Sequence, residues 1–147
     1  MTTAAEPTLY CPPERLNDLS EVRNYIESLD FTDIMDRMAK VEFGGLGWSR
    51  EKLEYVERQY KRWLFLRRKH EGFTLPPSGD MDEFWHHHIL DTRAYFRDCQ
   101  IIFGYYLHHF PYLGIRNDDD WGELERAWEN TERFYLEEFG EEIYDYD

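Results

Sequence analysis

Five of the six histidines, His86, His87, His88, His108 and His109, fall within 24 consecutive residues, in company with Asp82, Asp91, Tyr95, Asp98 and Cys99. Imidazole is the commonest protein metal ligand, and a neighbouring carboxylate commonly fixes its tautomer and orientation. The mixture therefore has the composition of a transition-metal site and its supporting groups. Spacing decides which of these residues can act together. Each helical residue advances about 100°, so His86 and His88 point roughly 200° apart and do not share an ion on an undistorted helix. On one straight helix His88 and Cys99 would stand about 16 Å apart. A chain reversal at Leu90-Asp91-Thr92 changes this, because counted outward from the turn His86 lies about 7 Å along one arm and Cys99 about 11 Å along the other. With that reversal the expected ligands are His86, His88 and Cys99. Asp82 precedes His86 by four, and Asp91 follows His87 by four and His88 by three, pairs that a helix makes adjacent. Asp82, Asp91, Tyr95 and Asp98 are the expected supporting groups. His87, His108 and His109 rank below the others as ligands, since a helix running on to His109 would carry the last two about 24 Å from the turn.

Each residue also has an ordinary structural role open to it. His88 shares a face with Phe84, and a buried neutral histidine is usually satisfied by one or two hydrogen bonds. His108 and His109 suit a helix C-terminus, where the last carbonyls attract positive charge. Cys99 has core spacing with Ile102 and Phe103 and fits a small buried apolar residue. Nitrogen, oxygen and sulfur donors suit zinc and non-haem iron alike, so the cofactor expected is a zinc or iron ion. The sequence has no phosphate loop, no Gly-x-Gly-x-x-Gly and no Gly-x-Ser-x-Gly, hence no nucleotide-cofactor or serine-hydrolase motif. Asn117-Asp-Asp-Asp-Trp-Gly122 starts like a calcium loop, but its twelfth position is Trp128 where a bidentate Glu is needed. It reads as a helix start.

The elements that must position these groups are helical. Ser20 opens a helix with Val22, Tyr25, Ile26 and Leu29 at helical spacing, and Asp30 caps a shorter one with Ile34, Met35 and Met38. Gly44, Gly45 and Gly47 close that pair. Ser49 caps a long helix carrying Leu53, Val56, Tyr60, Trp63 and Leu64. Asp80 and Glu83 have the form of a capping box for a helix through the triple histidine. The next helix runs from Asp91 or Thr92 towards His109, and the last from Asn117 to Gly140. With no strand-spaced run, the class is all-α: a single helical domain of about six helices over residues 17–140, a helix-turn-helix hairpin carrying the histidines, an extended arm over 1–16 and an acidic tail over 141–147.

Composition excludes several functions. The chain has 147 residues, 41% hydrophobic and 18% aromatic, enough to fold around a core. Its net charge of −14 leaves no cation excess for a phosphate backbone or an anionic membrane surface. No apolar run approaches the roughly 20 residues of a membrane helix, and the N-terminus lacks the pattern of a secretory signal. The reading is a cytoplasmic protein with two free thiols, Cys11 and Cys99, that binds neither nucleic acid nor membrane. The acidity is local, with 13 acidic and 2 basic side chains in residues 117–147, whereas Arg58, Lys61, Arg62, Arg67, Arg68 and Lys69 crowd the long helix. These charges either attract one another within the fold or form a docking surface for a protein or peptide partner. A non-catalytic binding module built on aromatics and segregated charge is thus the alternative to a metalloprotein.

Asp82, Trp85-His86-x-His88, Tyr95, Asp98-Cys99 and Phe103-Gly104 together resemble the core motif of the glycine-rich domain-containing protein-like family. The resemblance covers about residues 80 to 110. It implies a helical domain in which His86, His88, Asp98 and Cys99 matter more than His87, and it supplies residues without a reaction. With 9 glycines, the chain has no glycine-rich tail.

Overall fold

The longest uninterrupted apolar periodicity, around Tyr60 and Trp63, forms the centre of the molecule. In the computed structural model, which describes residues 14–146, this segment is helix α3, Arg50–Lys69, preceded by α1, Leu19–Ser28, and α2, Thr32–Met38. It is followed by α4, Gly79–Leu90, α5, Thr92–Ile102, and α6, Asp118–Phe139. A short 3-10 turn, Val41–Phe43, closes α2, and the described residues contain no strand. The fold is all-α. The expected Cys11 thiol and most of the N-terminal arm lie outside the described residues.

Helix α3 packs against α1, α4 and α6. Leu53, Val56, Tyr60, Trp63, Leu64 and Leu66 are all buried, as are the polar Gln59 and Arg68. Fully burying each large apolar side chain contributes about 1.5–3 kcal/mol, so this one helix anchors much of the core. Its N-cap is Ser49, whose hydroxyl accepts from the Lys52 N–H. The three glycines after α2 make a tight reversal, and a Cβ at Gly45 would overlap the carbonyl oxygens of Arg37, Met38 and Lys40.

Four boundaries differ from the sequence reading. The N-cap residue of α2 is Phe31 where Asp30 was expected, although Asp30 Oδ1 still accepts from the Thr32 N–H. Helix α1 starts one residue before Ser20, because Asp18 caps it and accepts from the Ser20 N–H. Helix α4 is capped by Ser78, which accepts from the Met81 N–H, so it starts at Gly79, two residues earlier than an Asp80 cap would start it. Helix α5 stops at Ile102 instead of running to His109. Gly104 takes a left-handed conformation, φ +81°, and its N–H turns back to the Cys99 and Gln100 carbonyls. That is the geometry by which glycine ends a helix. Residues 105–117 are thereby released from α5 to run over the surface of α4.

Two cations of α3, and one of α1, meet acidic side chains of the C-terminal region. Arg62 pairs with Glu141 at 3.0 Å, Arg23 with Glu138 at 2.7 Å, and Lys69 also with Glu138. Arg68 is buried and donates to the carbonyls of Leu16 and Ile102 at 2.6 and 2.8 Å, tying the C-terminal end of α5 to α3. None of the described helices is long and apolar enough to cross a membrane.

Candidate functional site

Helices α4 and α5 meet with only Asp91 between them. Pairs ten residues apart now touch: His88 Nε2 is 2.9 Å from Asp98 Oδ2, and Trp85 Nε1 donates to the Tyr95 hydroxyl at 2.8 Å. On a straight helix ten residues span about 15 Å. The chain therefore reverses where the sequence indicated, and the reversal sorts the triple histidine into three environments.

His88 faces inward and is 1% exposed. The ionised Asp98 can only accept, so His88 Nε2 carries the hydrogen of that bond. Nδ1 then accepts from the Tyr60 hydroxyl at 2.7 Å. Both ring nitrogens are occupied. Asp98 is likewise buried, and Tyr25 donates to its Oδ1 at 2.7 Å. Burial pushes the Asp98 carboxyl up, but the hydrogen bonds from His88 and Tyr25 outweigh it and hold it below the usual carboxylate range. Phe31, Tyr60 and Tyr95 surround the imidazole with ring centroids 4.8–5.7 Å away.

His87 is tied along its own helix, Nδ1 to the Glu83 carbonyl at 2.9 Å. Asp91 sits exposed at the turn and makes no side-chain capping bond to α5, so it orients neither ring. Cys99 is buried, with the Leu107 N–H 3.5 Å from its sulfur. Burial pushes its thiol up to about 11, which keeps it protonated and a poor ligand or nucleophile at neutral pH. His86, His88 and Cys99, the three ligands expected from the sequence, are not brought to one point.

His86 turns instead towards solvent and towards His109. His86 Nε2 lies 3.1 Å from Asp82 Oδ2, His109 Nε2 lies 2.7 Å from Asp82 Oδ1, and the two Nε2 atoms are 3.0 Å apart. Asp82, His86 and His109 are the group of three donors that the described residues bring within 4.8 Å of one another. Asp82 and His86 share a face of α4 at four-residue spacing, and His109 arrives because α5 ends early. The loop bearing it is held by Tyr95, whose hydroxyl donates to the Leu107 carbonyl while accepting from Trp85. Trp85 in turn lies under the His109 ring, centroids 4.3 Å apart. Tyr95→Phe leaves the Trp85 N–H and the Leu107 carbonyl without partners; a loss of about 1–3 kcal/mol is expected in urea unfolding, and wild-type stability would show that the relay holds nothing.

With the carboxylate ionised, protons alone leave one contact of this cluster unsatisfied. Two nitrogens 3.0 Å apart need one hydrogen between them, whereas both bonds to an ionised carboxylate need a hydrogen on each nitrogen. With an ionised carboxylate, one contact is then left with two hydrogens or two lone pairs opposed. A cation that accepts a lone pair from each group removes the conflict. Asp82 and His109 also line a cavity of about 520 Å³ bounded by Leu75, Ser78, Trp85 and Phe110.

Sequence reasoning ranked His109 low, and it placed Tyr25 and Tyr60 only at helical core positions and Arg67 only in a run of cations. Gly104 was the available signal for His109, as a glycine placed to end α5.

Residues 21–134 match the profile of the UCP032817-like family. The resemblance to the glycine-rich domain-containing protein-like family is thereby overturned: the motif around Trp85-His86-x-His88 occurs here within the matched UCP032817-like region. No curated protein and no solved structure matches the chain.

Proposed function

The chain belongs to the UCP032817-like family, and from the geometry at the end of α4 we propose that it binds one divalent transition ion through Asp82, His86 and His109. The observation that carries this reading is the pair of imidazole Nε2 atoms 3.0 Å apart on a single carboxylate. Two histidines and one carboxylate are a donor set that zinc and non-haem iron both accept. Three protein ligands leave coordination positions open, unlike the closed four-ligand shell of a structural zinc. The adjoining cavity gives a small molecule access to those positions. Such an ion would act as a Lewis acid or activate a bound water.

The partner-docking alternative has less support. Arg23, Arg62, Arg68 and Lys69, cations of the kind that a docking surface would present, are paired with acidic groups or carbonyls of the same chain.

The test is metal content. Protein without a histidine tag, stripped with chelator and reconstituted separately with zinc and ferrous ion, is expected to retain about one equivalent of one of them. The Asp82→Ala/His86→Ala/His109→Ala variant is expected to retain none, with unchanged helical content. Equal retention by wild type and variant, or none by either, overturns the reading.

A further inference from the structure

Arg67 lines the same cavity as Asp82 and His109. It is half-buried on α3, and its guanidinium stands 5.3 Å from the Trp63 ring centroid. Among the described residues no carboxylate or carbonyl accepts from it. That sets it apart from its neighbours on α3: Arg62 has Glu141, Arg68 has two carbonyls, and Lys69 has Glu138. Arg58 also has no side-chain partner among the described residues, but it is exposed to water, which satisfies it at no cost. Burial works against the Arg67 charge, and no neighbouring carboxylate offsets it. An arginine kept half-buried and unpaired at a cavity wall, in a chain of net charge −14, has a planar fork of donors open to whatever enters. Asp82 is the one acidic residue lining the cavity, and its two oxygens are already engaged by His86 and His109. The rest of the wall is largely apolar: Leu75, Phe110, Leu113 and Leu124.

We propose that this cavity binds a small carboxylate with an apolar body, its carboxylate held by Arg67 and its body against Leu75, Phe110, Leu113 and Leu124. This deepens the metal reading by naming the class of molecule that would face the ion, and it rests on that reading only for the ion's presence. A carboxylate matches the guanidinium fork with two parallel hydrogen bonds. Apolar walls around a few placed polar groups are the usual build of a small-molecule site.

Benzoate is the probe, titrated calorimetrically into chelator-treated protein so that no metal can hold it, with benzamide as the neutral counterpart of the same shape. Benzoate is expected to bind, benzamide to bind about 10- to 100-fold more weakly, and Arg67→Gln to weaken benzoate by a similar factor, the range for a charge-assisted pair. Arg67→Lys keeps the charge without the fork and is expected to fall between, which decides the matter should Arg67→Gln unfold. No benzoate binding to wild type, equal binding of benzamide, or Arg67→Lys and Arg67→Gln both binding like wild type overturns the proposal. Zinc retention with Arg67-independent benzoate binding defeats this inference alone; Arg67-dependent benzoate binding without metal retention defeats the metal reading alone.

Discussion

His88→Ala is expected to lower the stability of the fold by about 3–5 kcal/mol, because it breaks a buried pair by removing one partner and strands the other. Asp98 would remain buried with only the Tyr25 hydroxyl and the Arg97 guanidinium, at 2.7 and 3.2 Å, and Tyr60 would lose its acceptor. A cavity between Phe31, Tyr60 and Tyr95 would add to the loss. Against a typical total of about 5–15 kcal/mol for a domain, this is a large fraction. The pH dependence follows from Asp98. Its carboxyl lies below the usual range in the folded state, so its stabilisation is complete above the unfolded value of about 3.9 and is lost as pH falls through the lower folded value. His88 supplies the largest of the hydrogen bonds that hold it down, so in His88→Ala the folded value rises and acid unfolding begins at higher pH. Urea midpoints measured from pH 7 downwards check both points. A variant within about 1 kcal/mol of wild type, the scale of an ordinary surface change, with an unshifted acid limb would refute the account of His88 as a core residue.

The reversal at Asp91 and the long helix α3 were legible because both show locally: a break between two periodic runs in one case, unbroken apolar spacing in the other. The end of α5 was not. Phe103 and Tyr106 continue the helical period past Gly104, and periodicity does not report that Gly104 adopts φ +81° and sends the chain back over α4. That single backbone state decides the ligand set. With a continuing helix His109 stands far from Asp82; with the break it lies 2.7 Å away. Similarly, the 200° between His86 and His88 was readable and His88 was placed on the Phe84 face, but its partner Tyr60 lies 28 residues away, on α3. Arg67 carried no signal at all, since one arginine in a run of cations differs from the others only through what the fold leaves unpaired. The rules that read elements from a sequence are short-range, whereas this site is assembled from α4 and a loop 27 residues away at its longest contact.

A bound ion would join that loop to α4, and this makes the metal visible in folding. An ion that binds only the folded state stabilises it by RT ln(1 + [L]/Kd), about 2.7 kcal/mol at a free concentration of 100 Kd. Zinc or ferrous ion at that excess is therefore expected to raise the unfolding free energy by about that amount, with amide exchange slowed most in residues 105–117. His109→Ala removes the loop's ligand and is expected to abolish the gain, while Cys99→Ser and His87→Ala keep it, because the buried thiol stays protonated and His87 is bonded to its own helix. A gain that survives His109→Ala and vanishes in Cys99→Ser would place the ion deep between α4 and α5, and the surface cluster would then be three side chains sharing protons. The two outcomes differ because the open cluster would hold the ion against the cavity, within reach of a small molecule, and the buried one would seal it in the core.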